Sequence, residues 1–339
     1  MKPAELGFRM PAEWEPHEAT WLAWPHERTD WPGKFAPIPW VYGDIVGKLS
    51  RVERVRILTE DAEAETKARQ VLKKCGANVE AVEFFHHPTN RSWTRDYCPL
   101  FVRNAGGEVA MTRWRFNGWA KYDNWREDSA IPKFLSKRLK IRDWEAGIVL
   151  EGGSVDVNGA GLLLTTEECQ LSESVQVRNP GLRRVELERY FREYLGVRET
   201  IWLKNGIAGD DTHGHIDDVA RFVSADTVVI VTETDRSELN YERLRENLKI
   251  LRRTSLRVVT LPMPAPVYFH GQRLPASYAN FYIANRILLV PTFNDANDRV
   301  ALSTLAGLFP DRQVIGIHCL DLVLGLGTLH CMTMQQPAG

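Results

Sequence analysis

Apolar and polar positions along this chain form short hairpin-like runs separated by stretches of helical spacing. Four runs carry the hairpin pattern: CPLFVRNAGGEVAMTRW (98–114), GSVDVNGAGLLLTTE (153–167), HIDDVARFVSADTVVIVTE (215–233) and ANFYIANRILLVPTF (279–293). In each, a first strand meets a turn carrying Asn, Gly, Ala or Asp, and a more apolar second strand follows. The second strands GLLLTT, TVVIVTE and ILLVPTF recur about every 60–66 residues, the scale of one supersecondary unit in a repeat architecture. Helical spacing appears in AEAETKARQVLKKCG (62–76), GLRRVELERYFREYLG (181–196) and RSELNYERLRENLKILRR (236–253). In the second of these, Leu182, Val185, Leu187, Tyr190, Phe191 and Leu195 predict a buried face, and Gly196 predicts the C-terminal cap. Short apolar strands, RVRILTE, ETIWLKN, RVVTLPMP and QVIGIHCLDL, complete the pattern. The predicted unit is hairpin, helix, strand, and repeats of that kind can close radially around an axis. A doubly wound sheet is the rival architecture, but no GxGxxG follows a first strand.

Composition narrows the function classes. The 339 residues are 44% hydrophobic and 26% charged, which excludes disordered and fibrous chains. Length alone allows two domains or one large one; with no linker-like tract, the expectation is a single catalytic domain over 1–339. Lys and Arg total 43 against 44 Asp and Glu, so no electrostatic footprint for nucleic acid or an anionic membrane exists. No apolar run is long enough to span a bilayer, and MKPAELGFRM lacks the apolar segment of a signal peptide, so the expected location is cytoplasmic. The five cysteines, Cys75, Cys98, Cys169, Cys319 and Cys331, are odd in number and lack CxxC spacing, against both a disulfide framework and structural zinc. Trp14, Trp21, Trp24, Trp31, Trp93 and Trp119 stand in polar surroundings; most such rings are core, but a cluster beside charge suits a flat or cationic ligand.

Polar residues concentrate in four segments: NRSWTRDYCP (90–99), LEGGSVDV (150–157), GDDTHGHIDDVARF (209–222) and GLGTLHCMTMQQP (325–337). Radial repeats would bring such segments to one axis. Strand alternation predicts that His215 and Asp217 share a face, as a general acid/base pair or, with His213, as metal ligands. No HExxH or cysteine partner supports the metal, and none is expected. Cys331 lies in a stretch interrupted by glycine, and a lone cysteine with a distant His and carboxylate is the composition of a thiol enzyme.

WTRD (93–96), EGGSVDVNG (151–159), DDTHGHID (210–217) and GLGTLHCMTMQQP resemble, in order and spacing, the agmatine deiminase and bacterial peptidylarginine deiminase family of the guanidino-group-modifying superfamily. MPAEWEPHEATWLAWP, LLTTEECQL, ASYANFYIANRILLVP and FPDRQVIGI match as well, so the resemblance runs from Met10 to Pro337. It implies the pentein fold, an α/β propeller of five pseudo-symmetric ββαβ units. It implies a hydrolase of a linear amidine C–N bond with Cys331 as nucleophile, His215 as general acid/base and Glu151 orienting the histidine. Asp96 and Asp217 would hold the guanidinium and Trp93 would stack near the substrate. The family commonly has GGGNIHC at the nucleophile, where this chain has Leu326 and Thr328 in GLGTLHC.

The chemistry fits the residue types. A guanidinium is a planar cation with five donors, so two carboxylates can locate its carbon and offset its charge. Cys331 would add to that carbon, and His215 would protonate the departing ammonia and later deprotonate water, with no cofactor. Asp210 and Asp211, expected at the mouth, would suit the amine of agmatine, with Asp211 as its binding residue; the product would be N-carbamoylputrescine, a polyamine precursor. Peptidylarginine or free arginine, giving citrulline, is the alternative, and would draw on Arg113 or Arg115 for its carboxylate. A non-catalytic binding protein and a metallohydrolase are the remaining readings. The expected partner is a small guanidino substrate, with no nucleic acid and no membrane; a homo-oligomer is left open.

Overall fold

The most apolar runs of the sequence become the middle strands of small sheets. A computed structural model describes residues 1–339. Its elements begin with β1 (His17–Ala23), α1 (Ile38–Leu49), β2 (Arg54–Thr59), α2 (Ala62–Lys74) and β3 (Val82–His86). A short helix α3 (Thr94–Tyr97) precedes β4 (Leu100–Arg103), β5 (Val109–Arg115), α4 (Arg126–Leu139) and β6 (Asp143–Val149). Next come β7 (Asp156–Val157), β8 (Leu162–Thr166), α5 (Glu167–Gln170), α6 (Arg184–Leu195) and β9 (Glu199–Leu203). β10 (Ala220–Phe222), β11 (Thr227–Thr232), α7 (Asn240–Leu251) and β12 (Arg257–Pro262) follow, then a small hairpin of β13 (Tyr268–Phe269) and β14 (Gln272–Arg273). The last are β15 (Tyr282–Ile283), β16 (Ile287–Thr292), α8 (Asn297–Leu308), β17 (Gln313–His318) and β18 (Met334–Pro337).

Four sheets have one plan: β4-β5-β6, β7-β8-β9, β10-β11-β12 and β15-β16-β17. In each, the first two strands are antiparallel, and a helical crossover returns the third parallel to the second. A fifth sheet, ordered β18-β1-β2-β3, repeats the plan with strands from the two ends of the chain, since β18 pairs antiparallel with β1 and β2 pairs parallel with it. The hairpin-helix-strand unit is therefore present four times, the fifth sheet repeats its strand pairing from the two chain ends, and the single doubly wound sheet is absent.

Burial explains why the middle strands read as continuous apolar runs. Val228 to Val231 of β11 and Leu288 to Val290 of β16 are buried in succession, so both faces of each strand are covered. In α6, Leu187, Phe191 and Leu195 face the core, while Val185, predicted on the same face, is 62% exposed. Gly196 ends the helix in the left-handed region (φ 67°), and the N–H of the following Val197 donates to the Phe191 carbonyl at 3.4 Å. One cluster of 84 buried apolar residues draws on all five sheets, which accounts for the absence of any linker in the sequence. No helix is long and apolar enough to cross a membrane.

One expectation fails locally. The strand predicted from His215 begins only at Ala220; Ile216–Asp218 form a 3-10 turn, with His215 at its N-terminal boundary. Alternation therefore does not place His215 beside Asp217. The turn does so instead, because buried acids so close together find side-chain partners where a ladder would offer only backbone.

Candidate active site

Each polar segment lies just ahead of the first strand of a sheet. Asp96 is on α3 ahead of β4; Glu151 and the turn Gly152–Ser154 precede β7; His215 and its turn precede β10; Cys331 precedes β18. The same position ahead of β15 is held by Asn280, which the reading of the sequence passed over. All five come together. His215 Nδ1 is 3.8 Å from Asp96 Oδ1 and 4.0 Å from Asp217 Oδ1, and its Nε2 is 3.7 Å from Glu151 Oε2. Cys331 Sγ lies 3.7 Å from Asp217 Oδ2 and 3.1 Å from Asn280 Nδ2. Gly153 is required at this junction. A Cβ there would meet His215 Nδ1 at 2.6 Å and Asp96 Oδ1 at 2.9 Å, and its N–H donates to Asp96 Oδ1 at 3.0 Å.

The partners set the charge of each group. Burial opposes the ionised Glu151, but the Arg178 guanidinium, 3.1 Å from its Oε1, and the charge of His215 bring its pKa down to about 2. Burial likewise opposes a charged His215, yet Asp96, Cys169 and Glu151 hold it well above the ordinary histidine range. Asp96 accepts from Trp119 Nε1 at 2.9 Å; burial and the negative charges of Asp217 and Glu151 still push it up to about 6. Asp217 is held below the carboxylate range, against the cost of burial, by His330, whose Nδ1 lies 2.7 Å from Asp217 Oδ2. The other ring nitrogen of His330 is 2.8 Å from Glu13 Oε2, and Glu13 also pairs with Arg221 at 2.9 Å. Neither Arg178, Glu13 nor Arg221 stood out in the sequence, since their roles depend on long-range approach. Burial, then Asp217, Asp218 and Asp96, drive the Cys331 thiol well above its usual pKa, so it is uncharged at neutral pH.

A cavity of about 510 Å³ opens onto Cys331. Trp93, Asp96, Asp211 and Cys331 line it; His215, Asp217 and Glu151 do not, and meet it through Asp96 and Cys331. Trp93 packs against Trp31 with ring centroids 5.5 Å apart, and both press on the nucleophile loop. A Cβ at Gly325 would approach either ring to 2.7 Å, and one at Gly327 would approach Trp93 to 3.0 Å, hence the glycines of GLG. Leu326, between them, takes a left-handed φ of 67°, which is unfavourable for a residue with a branched side chain. Thr328 donates its hydroxyl to Asn280 Oδ1 at 2.8 Å.

The outer end differs from expectation. Asp211 pairs with Lys121 and accepts from Tyr122 Oη at 2.7 Å. Asp210 faces inward, accepting from the Gly214 and His215 N–H groups at 2.7 and 3.0 Å, so it holds the histidine loop and does not form the mouth. Arg113 pairs with Asp143 at 2.7 Å, and neither Arg113 nor Arg115 lines the cavity. The cations that do are Arg91, paired with Asp30, and Lys121. The metal set suggested by the sequence does not assemble either. The residues with ligating atoms within 4.8 Å of one another are Glu151, Cys169 and His215, without His213 or Asp217.

Nearly the whole chain is similar to known proteins. The family Porphyromonas-type peptidyl-arginine deiminase matches residues 9–337. An agmatine deiminase of Pseudomonas aeruginosa is 34% identical over 99% of this chain and 97% of its own. The structure of the agmatine deiminase of Enterococcus faecalis superposes with a TM-score of 0.91 at 30% identity, covering 99% and 98% of the two chains. A cysteine-to-serine variant of the C. jejuni agmatine deiminase with substrate bound gives a TM-score of 0.90 at 30% identity, covering 98% and 97%.

Proposed function

The chain belongs to the Porphyromonas-type peptidyl-arginine deiminase family, enzymes that hydrolyse a guanidino C–N bond, and from that premise we propose that it converts agmatine and water to N-carbamoylputrescine and ammonia. The observation that carries this reading is the meeting of one thiol, one charged histidine and three carboxylates around a single point: Cys331, His215, Asp96, Asp217 and Glu151. The carboxylates flanking the sulfur favour a cation. Asp217 Oδ1 has no protein hydrogen-bond partner, and Asp96 uses its oxygens on one N–H each, so lone pairs remain on both for a guanidinium.

The bound cation supplies what the resting thiol lacks. Its positive charge beside Cys331 offsets the aspartates and favours loss of the thiol proton to solvent through the open cavity. The sulfur then adds to the guanidino carbon, forming the C–S bond. His215 gives its proton to the leaving nitrogen, the C–N bond breaks and ammonia departs, leaving a thiouronium on Cys331. The neutral His215 takes a proton from water as the oxygen adds to the same carbon. Collapse breaks the C–S bond, the hydroxyl proton passes to the departing sulfur to restore the thiol, and the ureido product is released. Glu151, itself held by Arg178, keeps His215 oriented and charged for the first half.

Agmatine is favoured over arginine at the outer end. Lys121 and Arg91 are each matched by a carboxylate, so no unpaired cation meets a substrate carboxylate. Asp211 is the proposed acceptor for the ammonium, and Trp93 the surface for the aliphatic chain. On the same reading the whole chain is one catalytic domain, the five sheets close radially as a propeller around this site, and the product feeds polyamine synthesis in the cytoplasm. Ammonia release from agmatine, L-arginine and a C-terminal arginyl peptide tests the substrate. Agmatine is expected to lead L-arginine in kcat/KM by about tenfold or more, the equivalent of one charged hydrogen bond. A better rate with the peptide overturns the assignment in favour of peptidylarginine.

A further inference from the structure

We propose that the cavity between the N-terminal segment, the end of β4 and the end of α6 is a binding site for a short polyphosphate chain. It measures about 630 Å³ and shares no lining residue with the cavity that opens onto Cys331. Four arginines line it, Arg9, Arg103, Arg192 and Arg198, and no carboxylate does. They come from three distant parts of a chain whose net charge is −1, so the fold itself gathers them. Of the four, only Arg9 has an ion-pair partner: both oxygens of Glu15 accept from it, at 2.6 and 2.8 Å.

This arrangement is costly without an anion. Arg9 and Arg103 are bridged by two backbone hydrogen bonds, of 3.0 and 2.8 Å, as opposed residues of an antiparallel pair. Such residues project to the same side, where like charges destabilise each other. The charge of Glu15 reaches both arginines but offsets only one. Arg103 Nε is buried without a hydrogen-bond partner, and a bound oxygen would supply one. Arg198 is seated by its donation to the Ala160 carbonyl at 2.6 Å. It packs on Gly161, where a Cβ would meet its guanidinium carbon at 2.9 Å. Arg103, Arg192 and Arg198 thus stand unmatched. A guanidinium takes phosphate oxygens in pairs through its fixed fork. One phosphate group carries about −1.5 to −2 charges near neutral pH, too few for these cations, so linked phosphates fit better. No ring is offered to a nucleobase. Phe8, the aromatic residue of the lining, is 2% exposed and packs edge-on against Trp144. The phosphates alone are therefore the part recognised.

Isothermal titration calorimetry of the full-length protein at neutral pH and low salt tests this, with sodium tripolyphosphate, ATP and inorganic phosphate as titrants. Tripolyphosphate is expected to bind saturably, one per chain, and to weaken as NaCl is raised. ATP should bind within about threefold of it, and inorganic phosphate about tenfold more weakly or worse, for want of charged hydrogen bonds. Arg103→Gln and Arg192→Gln should each weaken tripolyphosphate about tenfold, whereas Lys249→Gln, exposed on α7, should bind it as the wild type does. Arg103→Gln also removes the opposition to Arg9. Its unfolding midpoint in denaturant, without anion, should therefore equal or exceed that of the wild type, which separates lost binding from lost folding. Should that variant not fold, Arg192→Gln, at an exposed position, decides the matter alone. Tripolyphosphate that fails to bind the wild type, or binds the folded variants unchanged, overturns the proposal. ATP tighter than tripolyphosphate by about tenfold or more overturns it as well, since the base would then be the part recognised.

Discussion

Replacing Asp96 with Asn separates substrate binding from thiol reactivity. In the folded protein Asp96 accepts one N–H on each oxygen, from Gly153 at 3.0 Å and Trp119 at 2.9 Å. An amide in its place must turn its NH2 toward one of those donors, and it loses the negative charge that faces the guanidinium. Two charge-assisted hydrogen bonds are at stake, each worth about 1.5–3 kcal/mol, so the lower bound is about 3 kcal/mol, or roughly a hundredfold loss in kcat/KM. The same charge is one of three that suppress ionisation of Cys331. Its removal therefore lowers the thiol pKa, and iodoacetamide should label Cys331 faster in Asp96→Asn than in the wild type at pH 7 to 8, roughly the physiological range. Steady-state ammonia release and timed alkylation, on protein with a wild-type circular dichroism spectrum, measure both effects. Activity within about tenfold of wild type, or alkylation that slows along with turnover, would refute the electrostatic account.

Other expectations follow from the same contacts. Because Asp96 titrates near pH 6 and must be ionised to hold a cation, kcat/KM for agmatine should fall as the pH is lowered through about 6; a profile flat from pH 7 down to about 5 would contradict this. Cys331→Ala should lose several orders of magnitude in kcat, whereas Cys98→Ala and Cys319→Ala, both buried away from the cavity, should keep most of it, as judged by ammonia release. Asp211→Asn leaves Lys121 unmatched, so KM for agmatine should rise while L-arginine gains relative to it; an unchanged ratio of the two kcat/KM values would remove Asp211 from substrate recognition. Arg178→Met strips the buried Glu151 of its counter-charge and should destabilise the fold by about 3 kcal/mol or more in denaturant unfolding, with the loss greatest at neutral pH where Glu151 is ionised.

Much of the site is legible in the sequence because its chemistry sits in four short polar segments at the starts of apolar strands. WTRD, EGG, THGHID and LHC stand out against runs such as TVVIVT, and the repeat spacing indicates that they can converge. Local geometry is less legible. His215 and Asp217 do come together, but through a 3-10 turn, which period-two alternation cannot distinguish from a strand over so few residues. Residues that act through partners distant in the chain were hidden: Arg178 serves Glu151, Glu13 joins His330 to Arg221, and Asn280 reaches Cys331 across 51 positions. Asn280 had one signal available, its place ahead of the first strand of the fourth repeat. Arg113 and Arg115 illustrate the opposite error. Strand arginines near an aromatic cluster suggest a ligand until the fold pairs Arg113 with Asp143 and leaves both arginines away from the cavity.

The central claim is that Cys331 forms a covalent adduct with the guanidino carbon, and trapping that adduct tests it most directly. Wild-type protein and His215→Asn are mixed with agmatine, quenched in acid during turnover, digested and analysed by mass spectrometry. The account predicts, in the wild type, a peptide spanning Cys331 that is heavier by agmatine less ammonia, and little of it in His215→Asn, which lacks the proton donor for ammonia loss. Turnover of agmatine with an unmodified Cys331 at every quench time, retained in Cys331→Ala, would contradict it.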